Sequence, residues 1–513
     1  MGRGGRLKNG GSILIGVDQG TTNTKVVALD EAGMVLATAS RPIASTAPQP
    51  GWVDQDPMAM FANCVACVRD VLAQLHCPLS AIAGLGIANQ TETLVIWNPA
   101  TGVPALPAMV WQCRRGEAEI ARLRQAGLVA RLRQRTGLDL DPTFTAAKLA
   151  WVVHHHPQIA AGLRAGSLLS GTVDCWLIWC FSGGKIYATE PGNASRTMLF
   201  GLEACAWDSE LLDMFGLSLA RLPETGPSAR RFGETDPALF GAAIPITAAM
   251  GDQQASLFGH GCFGEGDLKV TYGTGAFMWA NAGRRLPPNQ ADGLVRTVAW
   301  DLGGPVYAIE GFVMSAGATL NWLARQFGLA GGGAAVVEQA RAAGDCHGVL
   351  LVPAFQGLAS PWWNAQVRAA LCGLTEATTI ADICQAGLEA VCYQIRAVMD
   401  AMAGAIGHRP TLVRVDGGPS RSGDLMQLQA DCLMIPMRLA AFESMTPYGV
   451  ALMAGVGAGL WRGTDELCLL TGRGHEILPD LAQEPRREAG YRAWRHAVDA
   501  AIAATKQPPQ GAD

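Results

Sequence analysis

The sequence predicts an α/β fold with two domains and a cleft between them. Three glycine-rich segments, Asp18–Lys25, Tyr272–Gly275 and Asp416–Ser420, each follow an apolar run of strand length. Glycine and small hydroxyl residues let backbone N–H groups converge on phosphate oxygens. One such loop is weak evidence, but three indicate a nucleotide held from several sides. At 513 residues the chain also exceeds what one hydrophobic core usually supports, so two or more domains are expected.

The first loop lies between the apolar runs Ile13–Val17 and Val26–Leu29, which predicts the turn of a β-hairpin. Asp18, at the end of the first run, is placed to hold Mg²⁺ through its water shell, because that ion needs only one or two carboxylates. A plain hairpin turn gives the same pattern, and the later segments favour the phosphate interpretation. We predict nucleotide contacts from Gly20, Thr21, Thr22, Asn23 and Lys25.

The second loop repeats the first, since a strand from Leu268 precedes it and a strand through Trp279 follows it. This repetition predicts an internal duplication, with the two loops facing each other across the cleft. The third loop follows the strand Leu412–Val415 and precedes a helix from Leu425, so its glycines permit close approach of an adenosine or α-phosphate. The predicted nucleotide contacts here are Gly273, Thr274, Gly417 and Gly418.

Composition excludes several classes of protein. The chain is 49% hydrophobic and 16% charged with a net charge of −5, which is typical of a compact globular protein and not of a dedicated nucleic-acid binder. A short basic arm, Arg3, Arg6 and Lys8, is expected to be disordered. No apolar stretch is expected to reach the ~20 residues of a membrane span, and the N-terminus has no signal-peptide pattern. We expect a cytoplasmic protein without a membrane or nucleic-acid partner.

Cysteine and histidine groups give weaker signals. The fourteen cysteines are expected to be reduced core residues, because they lie in apolar runs of a large chain. Cys64 and Cys67 have CxxC spacing in a helical stretch with no second ligand pair, which disfavours a metal or redox role. His154–His156 should occupy the solvated end of a helix that begins near Thr145 and stops before Pro157.

Polar residues at strand ends are the candidates for substrate binding and catalysis. The strand Ile82–Ala88 leads into a cluster that contains Glu92, at the strand end where α/β sheets place ligand groups. Trp111 offers a flat apolar wall, although core packing explains a tryptophan equally well. Asp252 follows a strand from Ile244 and begins a helix, where its carboxylate can take the proton of an attacking hydroxyl. A helix N-cap is the other interpretation of Asp252, and both can hold.

Taken together, these segments resemble the FGGY carbohydrate kinases, and within that family the glycerol kinases most. The resemblance spans about residues 11 to 480. Its motifs are colinear and specific, with a looser match at 446–451. They comprise Asp18–Thr22, Gly51–Pro57, Val110–Arg115, Phe144–Trp151, Asn193–Leu199, Gly251–Gln254 and Tyr272–Gly275.

The resemblance implies two actin-like (ribonuclease-H-type) domains with an interdomain ATP/substrate cleft. Residues 11–258 would hold the polyol or sugar, 259–485 the nucleotide, and 486–513 would form a C-terminal helix and tail. It implies ATP and Mg²⁺ as cofactors, domain closure that excludes water, and a homo-oligomer.

The resemblance also implies site roles. Asp252 would be the catalytic base, and Asp18 and Asp252 the metal-side carboxylates. Gly317 joins the nucleotide contacts, and the positions that match glycerol contacts are Glu92, Trp111, Asp252, Gln253 and Phe277.

Departures from the glycerol kinase pattern concern the far end of the substrate and the nucleobase. Thr91 stands in place of an arginine and Thr143 in place of a tyrosine, so both positions should contribute to a larger pocket with fewer donors. A tetritol, pentitol or small ketose would fill that space, while glycerol stays open as the alternative. Near the nucleobase, Asn321 replaces a common glutamine and Ser422 a usual asparagine, which leaves adenine strictness undetermined.

Two other classes share the fold. An actin-fold ATPase does not require Trp111 and Glu92 together with the turn that contains Asp252. A sugar sensor without catalytic activity would be expected to lose Asp252. Both are therefore less favoured than a kinase.

Overall fold

The computed structural model describes residues 11–288 and 293–505. The basic arm and the end of the tail lie outside those ranges. Two large mixed sheets with helices around them confirm the α/β class, and each sheet carries one of the predicted hairpins.

The first sheet has six strands in the order β5-β6-β4-β1-β2-β3. Strands β1, β2 and β3 are antiparallel neighbours, and β4 and β6 run parallel to β1. The strand bounds are β1 Ile13–Gln19, β2 Asn23–Asp30, β3 Val35–Pro42, β4 Ile82–Asn89, β5 Ala229–Glu234 and β6 Pro245–Gly251.

The second sheet has seven strands in the order β9-β10-β8-β7-β11-β12-β13. Here β7, β8 and β10 are antiparallel neighbours, and β11 and β12 run parallel to β7. The same hairpin, third antiparallel strand and two parallel strands occur in both sheets, as a duplication requires. The bounds are β7 Leu268–Tyr272, β8 Ala276–Gly283, β9 Val295–Asp301, β10 Pro305–Val313, β11 Val413–Gly417, β12 Met437–Ala440 and β13 Gly474–Ile477.

The helices cover the faces of the sheets. They are α1 Pro57–Leu75, α2 Glu117–Gln125, α3 Val129–Thr136, α4 Thr145–His155, α5 Pro157–Ala165, α6 Val173–Phe181, α7 Pro191–Ala194, α8 Ser209–Met214, α9 Pro237–Phe240, α10 Asp252–Gly259, α11 Gly317–Gln326, α12 Gly333–Ala343, α13 Ile380–Ile406, α14 Gly423–Leu433, α15 Met445–Gly457, α16 Thr464–Thr471 and α17 Glu484–Ala504. Short 3₁₀ turns lie at Leu79–Ala81, Pro419–Arg421 and Leu481–Gln483.

Short strands complete the fold. They are Ser45–Thr46, Asp54–Gln55, Val95–Trp97, Ala108–Met109, Leu169–Gly171, Ala188–Thr189, Phe200–Gly201, Ala206–Trp207, Glu224–Thr225, Leu350–Val352 and Ala370–Cys372.

Helix α1 is the one helix of the described residues with the length and hydropathy of a membrane span, so the expectation that no stretch reaches that size is wrong on those two criteria. Length and composition alone do not separate such a span from a core helix. Helix α1 packs on β2 and β3, and its buried side includes Met60, Cys64 and Val68. Its apolar character therefore has an explanation in core packing.

The predicted terminal helix is present. Helix α17 packs on the second sheet's helices, where Arg487 pairs with Glu389 at 2.8 Å and Trp494 Nε1 donates to the Leu351 carbonyl at 2.9 Å. Helix α4 begins and ends where the sequence predicts, and His155 at its exposed end stacks on Trp151.

The cysteine prediction is correct in part. All fourteen cysteines are free, and Cys64 is buried with its Sγ donating to Gln19 Oε1 at 3.5 Å. Cys372 and Cys468 are exposed, however, because one lies on a short two-stranded edge and the other on the outer side of α16. Within the described ranges no cluster of three or more metal-ligating side chains is present.

Helix α15 joins the two halves of the molecule. It comes late in the chain, yet it packs on β1, β4 and β6 of the first sheet and on α10. Close backbone approach makes this packing possible, since a Cβ at Gly449 would lie 1.8 Å from the Ala255 carbonyl oxygen and one at Gly16 would lie 1.9 Å from the Pro447 oxygen. The turn that carries Asp252 is thus held by both halves.

We predict that Gly449→Ala destabilises the protein by about 2–3 kcal/mol, because the added methyl group forces α10 and α15 apart. Gly404→Ala is the matched control: Gly404 is also helical, and its added Cβ meets nothing within 4 Å. That variant should be neutral or gain about 0.5–1 kcal/mol. Thermal unfolding of both variants checks this, and equal midpoints would contradict the proposed close contact.

Candidate active site

The two carboxylates predicted to act in catalysis lie close together. Asp18 is the last residue but one of β1, and Asp252 begins α10 directly after β6, which neighbours β4 in the same sheet. Burial, and then the charge of Asp252, raise the pKa of Asp18 to about 8, while Lys25 opposes the rise. Gly251, not Asp252, occupies the N-cap position of α10. The N-cap interpretation of Asp252 is therefore wrong, because the helix starts one residue earlier than it requires.

The surroundings of Asp18 fit a divalent cation. Its Oδ1 is buried without a hydrogen-bond partner in the described part of the chain, and a second carboxylate is near. An unpaired buried carboxylate oxygen is costly unless a cation or a proton satisfies it. Hard oxygen donors of this kind suit Mg²⁺, which binds through one or two carboxylates and retains several waters.

Asp252 has the environment of a base poised near neutrality. Loss of solvation and then the charge of Glu92 raise its pKa to about 7, and the Gln253 amide, Lys269 and Arg196 oppose the rise. The Gln253 N–H donates to Asp252 Oδ1 at 2.7 Å, which fixes the carboxylate. A base with this pKa is ionised for part of its population at pH 7 and can accept a proton from a hydroxyl.

A buried ion network surrounds Glu92. Its backbone φ of 65° is in the left-handed region, a strained conformation for a side chain other than glycine. Glu92 Oε1 accepts from Arg196 Nε at 2.6 Å, and Oε2 accepts from the Thr91 hydroxyl at 2.6 Å. Arg196 also pairs with Glu310 at 2.7 Å. The hydroxyl hydrogen of Thr91 is thus donated to Glu92 and is not free for a substrate.

The other side chains predicted to bind the substrate also make contacts within the protein. Trp111 Nε1 donates to Thr21 Oγ1 at 2.9 Å, which joins the predicted substrate wall to the first glycine-rich loop. The Thr143 hydroxyl donates to Asp141 at 2.6 Å. The ring of Phe277 packs on Phe312 with centroids 4.6 Å apart.

The predicted nucleobase residues line one pocket. Gly317 and Asn321 come from one segment and Gly418 and Ser422 from another, and all four border a pocket of about 630 Å³ between α11, α12 and α14. The second loop borders α11, because the Gly317 N–H donates to the Gly273 carbonyl at 3.1 Å.

Close approach also fixes the strand and loop that lead into this region. Thr274 accepts backbone hydrogen bonds from Ala316 and Ala318, at 3.0 and 2.9 Å. Gly417 has a φ of 94°, and a Cβ there would lie 1.9 Å from the Tyr272 oxygen. The third loop therefore requires glycine at that position.

The first loop is partly open. Thr22 is exposed, and the Gly20 N–H closes the turn onto the Asn23 carbonyl at 3.1 Å. Lys25 Nζ donates to Ser444 Oγ at 3.1 Å, so its ammonium group also links the loop to the segment before α15.

Two buried cations near the predicted catalytic residues had no predicted role. Arg196 and Lys269 are buried cations; Lys269 lies between Leu268 and Val270, whereas Arg196 lies between Ser195 and Thr197. A charged residue between two apolar residues of a strand is seldom buried unless it is paired, and that signal could have drawn attention to Lys269 but not to Arg196. Sequence spacing alone does not reveal which carboxylates they meet.

The site combines a buried Asp252 with a raised pKa, an Asp18 carboxylate with one unpaired oxygen, a buried ion network around Glu92 and glycine-rich loops from both sheets. That set defines a phosphotransferase that acts on an alcohol group. A model of the N-terminal domain of the FGGY family of carbohydrate kinases matches residues 13–259, and the model of the family's C-terminal domain matches 268–458. The chain belongs to the FGGY family of carbohydrate kinases.

Curated relatives agree with this assignment. The chain is 42% identical to a glycerol kinase of Acidovorax sp. (strain JS42), covering 96% of this chain and 99% of that one. It is 41% identical to a glycerol kinase of Symbiobacterium thermophilum, covering 95% and 98%.

Solved structures confirm the two-domain fold. A Plasmodium falciparum glycerol kinase with ADP superposes with a TM-score of 0.90 at 27% identity, covering 96% of this chain and 98% of that one. A xylulose kinase of Rhodospirillum rubrum superposes with a TM-score of 0.85 at 24% identity, covering 96% and 100%.

The pKa of Asp252 leads to a pH prediction. A general base acts only when ionised, and a pKa raised to about 7 means that the ionised fraction of Asp252 falls as the pH drops through that value. At saturating MgATP we expect kcat/KM for the acceptor to fall ~10-fold per pH unit on the acid side of an apparent pKa at or below about 7. Bound cation shifts this limb to lower pH, because it favours the carboxylate. A rate that rises as pH falls would contradict the assignment.

Proposed function

We propose that this protein transfers the γ-phosphoryl group of ATP to a terminal hydroxyl of a small polyol or sugar, with Asp252 as the general base. One observation carries the proposal: Asp252 lies within electrostatic range of both Asp18 and the buried Glu92 network. In this proposal Asp252 is therefore close to both the phosphate side and the hydroxyl side of the site.

In this proposal the residues divide the work. Asp252 takes the hydroxyl proton, and Glu92, Gln253, Trp111 and Phe277 orient the polyol. Asp18, together with Asp252, holds Mg²⁺, which when bound would offset negative charge on the transferring phosphoryl group. Most of the catalytic effect is alignment and charge stabilisation, since the transition state is loose.

Nucleotide binding is assigned to the second half and the facing hairpin. The pocket of about 630 Å³ suits a nucleobase, and the phosphates would lie against the loops of Gly20–Lys25 and Gly273–Thr274. We propose the domain limits 11–258 and 259–485, with 486–513 as the terminal helix and tail. Helix α15 is the exception in contacts, because it packs on the first sheet.

For the acceptor we propose a polyol or ketose longer than glycerol. The hydroxyl hydrogens of Thr91 and Thr143 are both donated within the protein, to Glu92 and to Asp141. Neither short side chain replaces the reach of an arginine or a tyrosine. These two positions therefore offer an acceptor less bulk and fewer free donors than an arginine and a tyrosine would, which favours an acceptor of four or five carbons.

Glycerol is the second candidate. The relatives at 40–42% identity that cover almost the whole chain are named glycerol kinases. The reacting end of the site, with Glu92, Trp111, Asp252 and Gln253, would accept glycerol's primary hydroxyl.

A substrate panel decides between the two. ADP release should be followed with glycerol, erythritol, threitol, pentitols and ketopentoses, and kcat/KM compared. We expect a tetritol, pentitol or ketopentose to exceed glycerol. If glycerol gives by far the highest kcat/KM, the enlarged-pocket argument fails while the kinase assignment stands.

A further inference from the structure

Lys269 reaches the active-site turn from the other half of the molecule. It lies on β7, the first strand of the second sheet, and its side chain is fully buried. Its Nζ donates to Gln253 Oε1 at 2.6 Å and to Thr271 Oγ1 at 2.8 Å. Gln253 follows Asp252 on α10, so Lys269 makes direct contact with a residue assigned to the acceptor.

This contact fixes the orientation of the Gln253 carboxamide. An ammonium group has three donors and no acceptor, so the atom of Gln253 that faces it has to be the oxygen. The amide oxygen of Gln253 therefore faces Lys269, and the amide nitrogen lies on the other side of the carboxamide group. The amide nitrogen points elsewhere, and among residues 11–288 and 293–505 it has no hydrogen-bond partner. Gln253 is also only partly buried, so its two N–H donors are available.

We propose that Lys269 is a positioning residue that makes Gln253 a hydrogen-bond donor to the acceptor hydroxyl. This inference rests on the proposed function. A hydroxyl has one proton and two lone pairs, and the carboxylate of Asp252 accepts the proton. When one lone pair of the hydroxyl oxygen accepts a hydrogen bond from the Gln253 amide, the other lone pair is free to attack the γ-phosphorus.

In the transfer step the proton, the bond that forms and the bond that breaks are then all accounted for. The hydroxyl proton passes to Asp252, the oxygen forms a bond to the γ-phosphorus, and the bond from phosphorus to the bridging oxygen breaks with its electron pair leaving on ADP. With the carboxamide reversed, Gln253 would instead compete with Asp252 for the single proton. The orientation set by Lys269 thus selects the productive rotamer of the hydroxyl.

A general electrostatic role is the competing explanation. Lys269 lies near Asp416, Asp252 and Glu310, and a buried cation would offset their charge at any orientation of Gln253. Its two hydrogen bonds, however, go to a carboxamide and a hydroxyl and to none of these carboxylates. Hydrogen-bond donation and charge can therefore be separated by mutation.

Lys269→Gln and Lys269→Met make that separation. Glutamine keeps an N–H donor for Gln253 and loses the charge, whereas methionine loses both. We expect kcat/KM for the acceptor to fall on the order of 10²-fold in Lys269→Met and less than ~10-fold in Lys269→Gln. Equal losses in the two variants would overturn the inference, because charge alone would then explain them.

Gln253→Glu supplies a second test that does not depend on the Lys269 variants folding. The carboxylate still accepts from Lys269 but has no proton to donate, so kcat/KM should fall about as far as in Lys269→Met. In the Gln253→Glu background the difference between methionine and glutamine at 269 should disappear. Wild-type-like activity of Gln253→Glu would overturn the inference.

Arg414→Met is the matched control. Arg414 is the register partner of Lys269 on β11 and is largely buried, but it pairs with Asp267. The loss of activity in Arg414→Met should simply add to the loss in Gln253→Glu, with no coupling between the two substitutions. If Arg414 couples to Gln253 as strongly as Lys269 does, general electrostatics would explain both. Wild-type enzyme is assayed first on the same acceptor: acceptor-dependent ADP release there separates failure of this inference from failure of the proposed function.

Discussion

Replacing Asp252 by asparagine should lower kcat by about 10²–10⁴-fold, the usual contribution of a general base. Asparagine keeps the shape and the hydrogen bond from the Gln253 N–H, but it cannot accept the proton of the attacking hydroxyl. The KM of the acceptor should change much less than kcat, because binding contacts persist. Steady-state kinetics with the best acceptor of the panel measures both constants.

Asp56→Asn is the control for this substitution. Asp56 caps α1 by accepting from the Met58 N–H, and asparagine caps a helix as well as aspartate does. We expect wild-type kinetics from that variant. A fall in kcat no larger in Asp252→Asn than in Asp56→Asn would remove Asp252 from the chemistry.

Restoring the two large donors should change acceptor preference. In the double variant Thr91→Arg with Thr143→Tyr, the ratio of kcat/KM for glycerol to that for the longer acceptor should rise by at least ~10²-fold. The reason is that the new side chains fill the far end of the pocket and bond the hydroxyls of a shorter substrate. Competition between the two acceptors in one assay gives the ratio directly.

The two single variants serve as internal controls. Each should shift the ratio in the same direction and by less than the double variant. An unchanged ratio in the double variant, with the protein still folded and active, would show that Thr91 and Thr143 do not set the length of the acceptor.

Much of the architecture could be predicted from local pattern. The hairpins around Gly20 and Thr274 were predictable because each has a glycine-rich turn between two apolar runs, and both form as expected. The turn before α10 follows from a strand that ends in Gly251 and a helix that starts at once. These features depend on neighbours in sequence, which is why pattern reveals them.

The interactions that complete the site depend on distant residues and could not be predicted in the same way. Helix α15 packs on the first sheet and on α10, although more than 150 residues separate α15 from α10 in the sequence. Arg196 forms ion pairs with Glu92 from the first half of the chain and with Glu310 from the second half. Lys269, on the second sheet, donates a hydrogen bond to Gln253, which follows the first sheet. Sequence pattern marks Lys269 as an unusual charge between apolar residues, but only the fold gives the partners of Lys269 and Arg196.

The central claim is that phosphoryl transfer depends on an alcohol acceptor. The most direct test incubates the protein with MgATP and each acceptor, and measures ADP together with the phosphate ester by phosphorus NMR. We predict ester and ADP in equal amounts, with the phosphate on a terminal carbon and turnover that requires the acceptor. ADP released at the same rate without any acceptor, with inorganic phosphate as the product, would contradict the account.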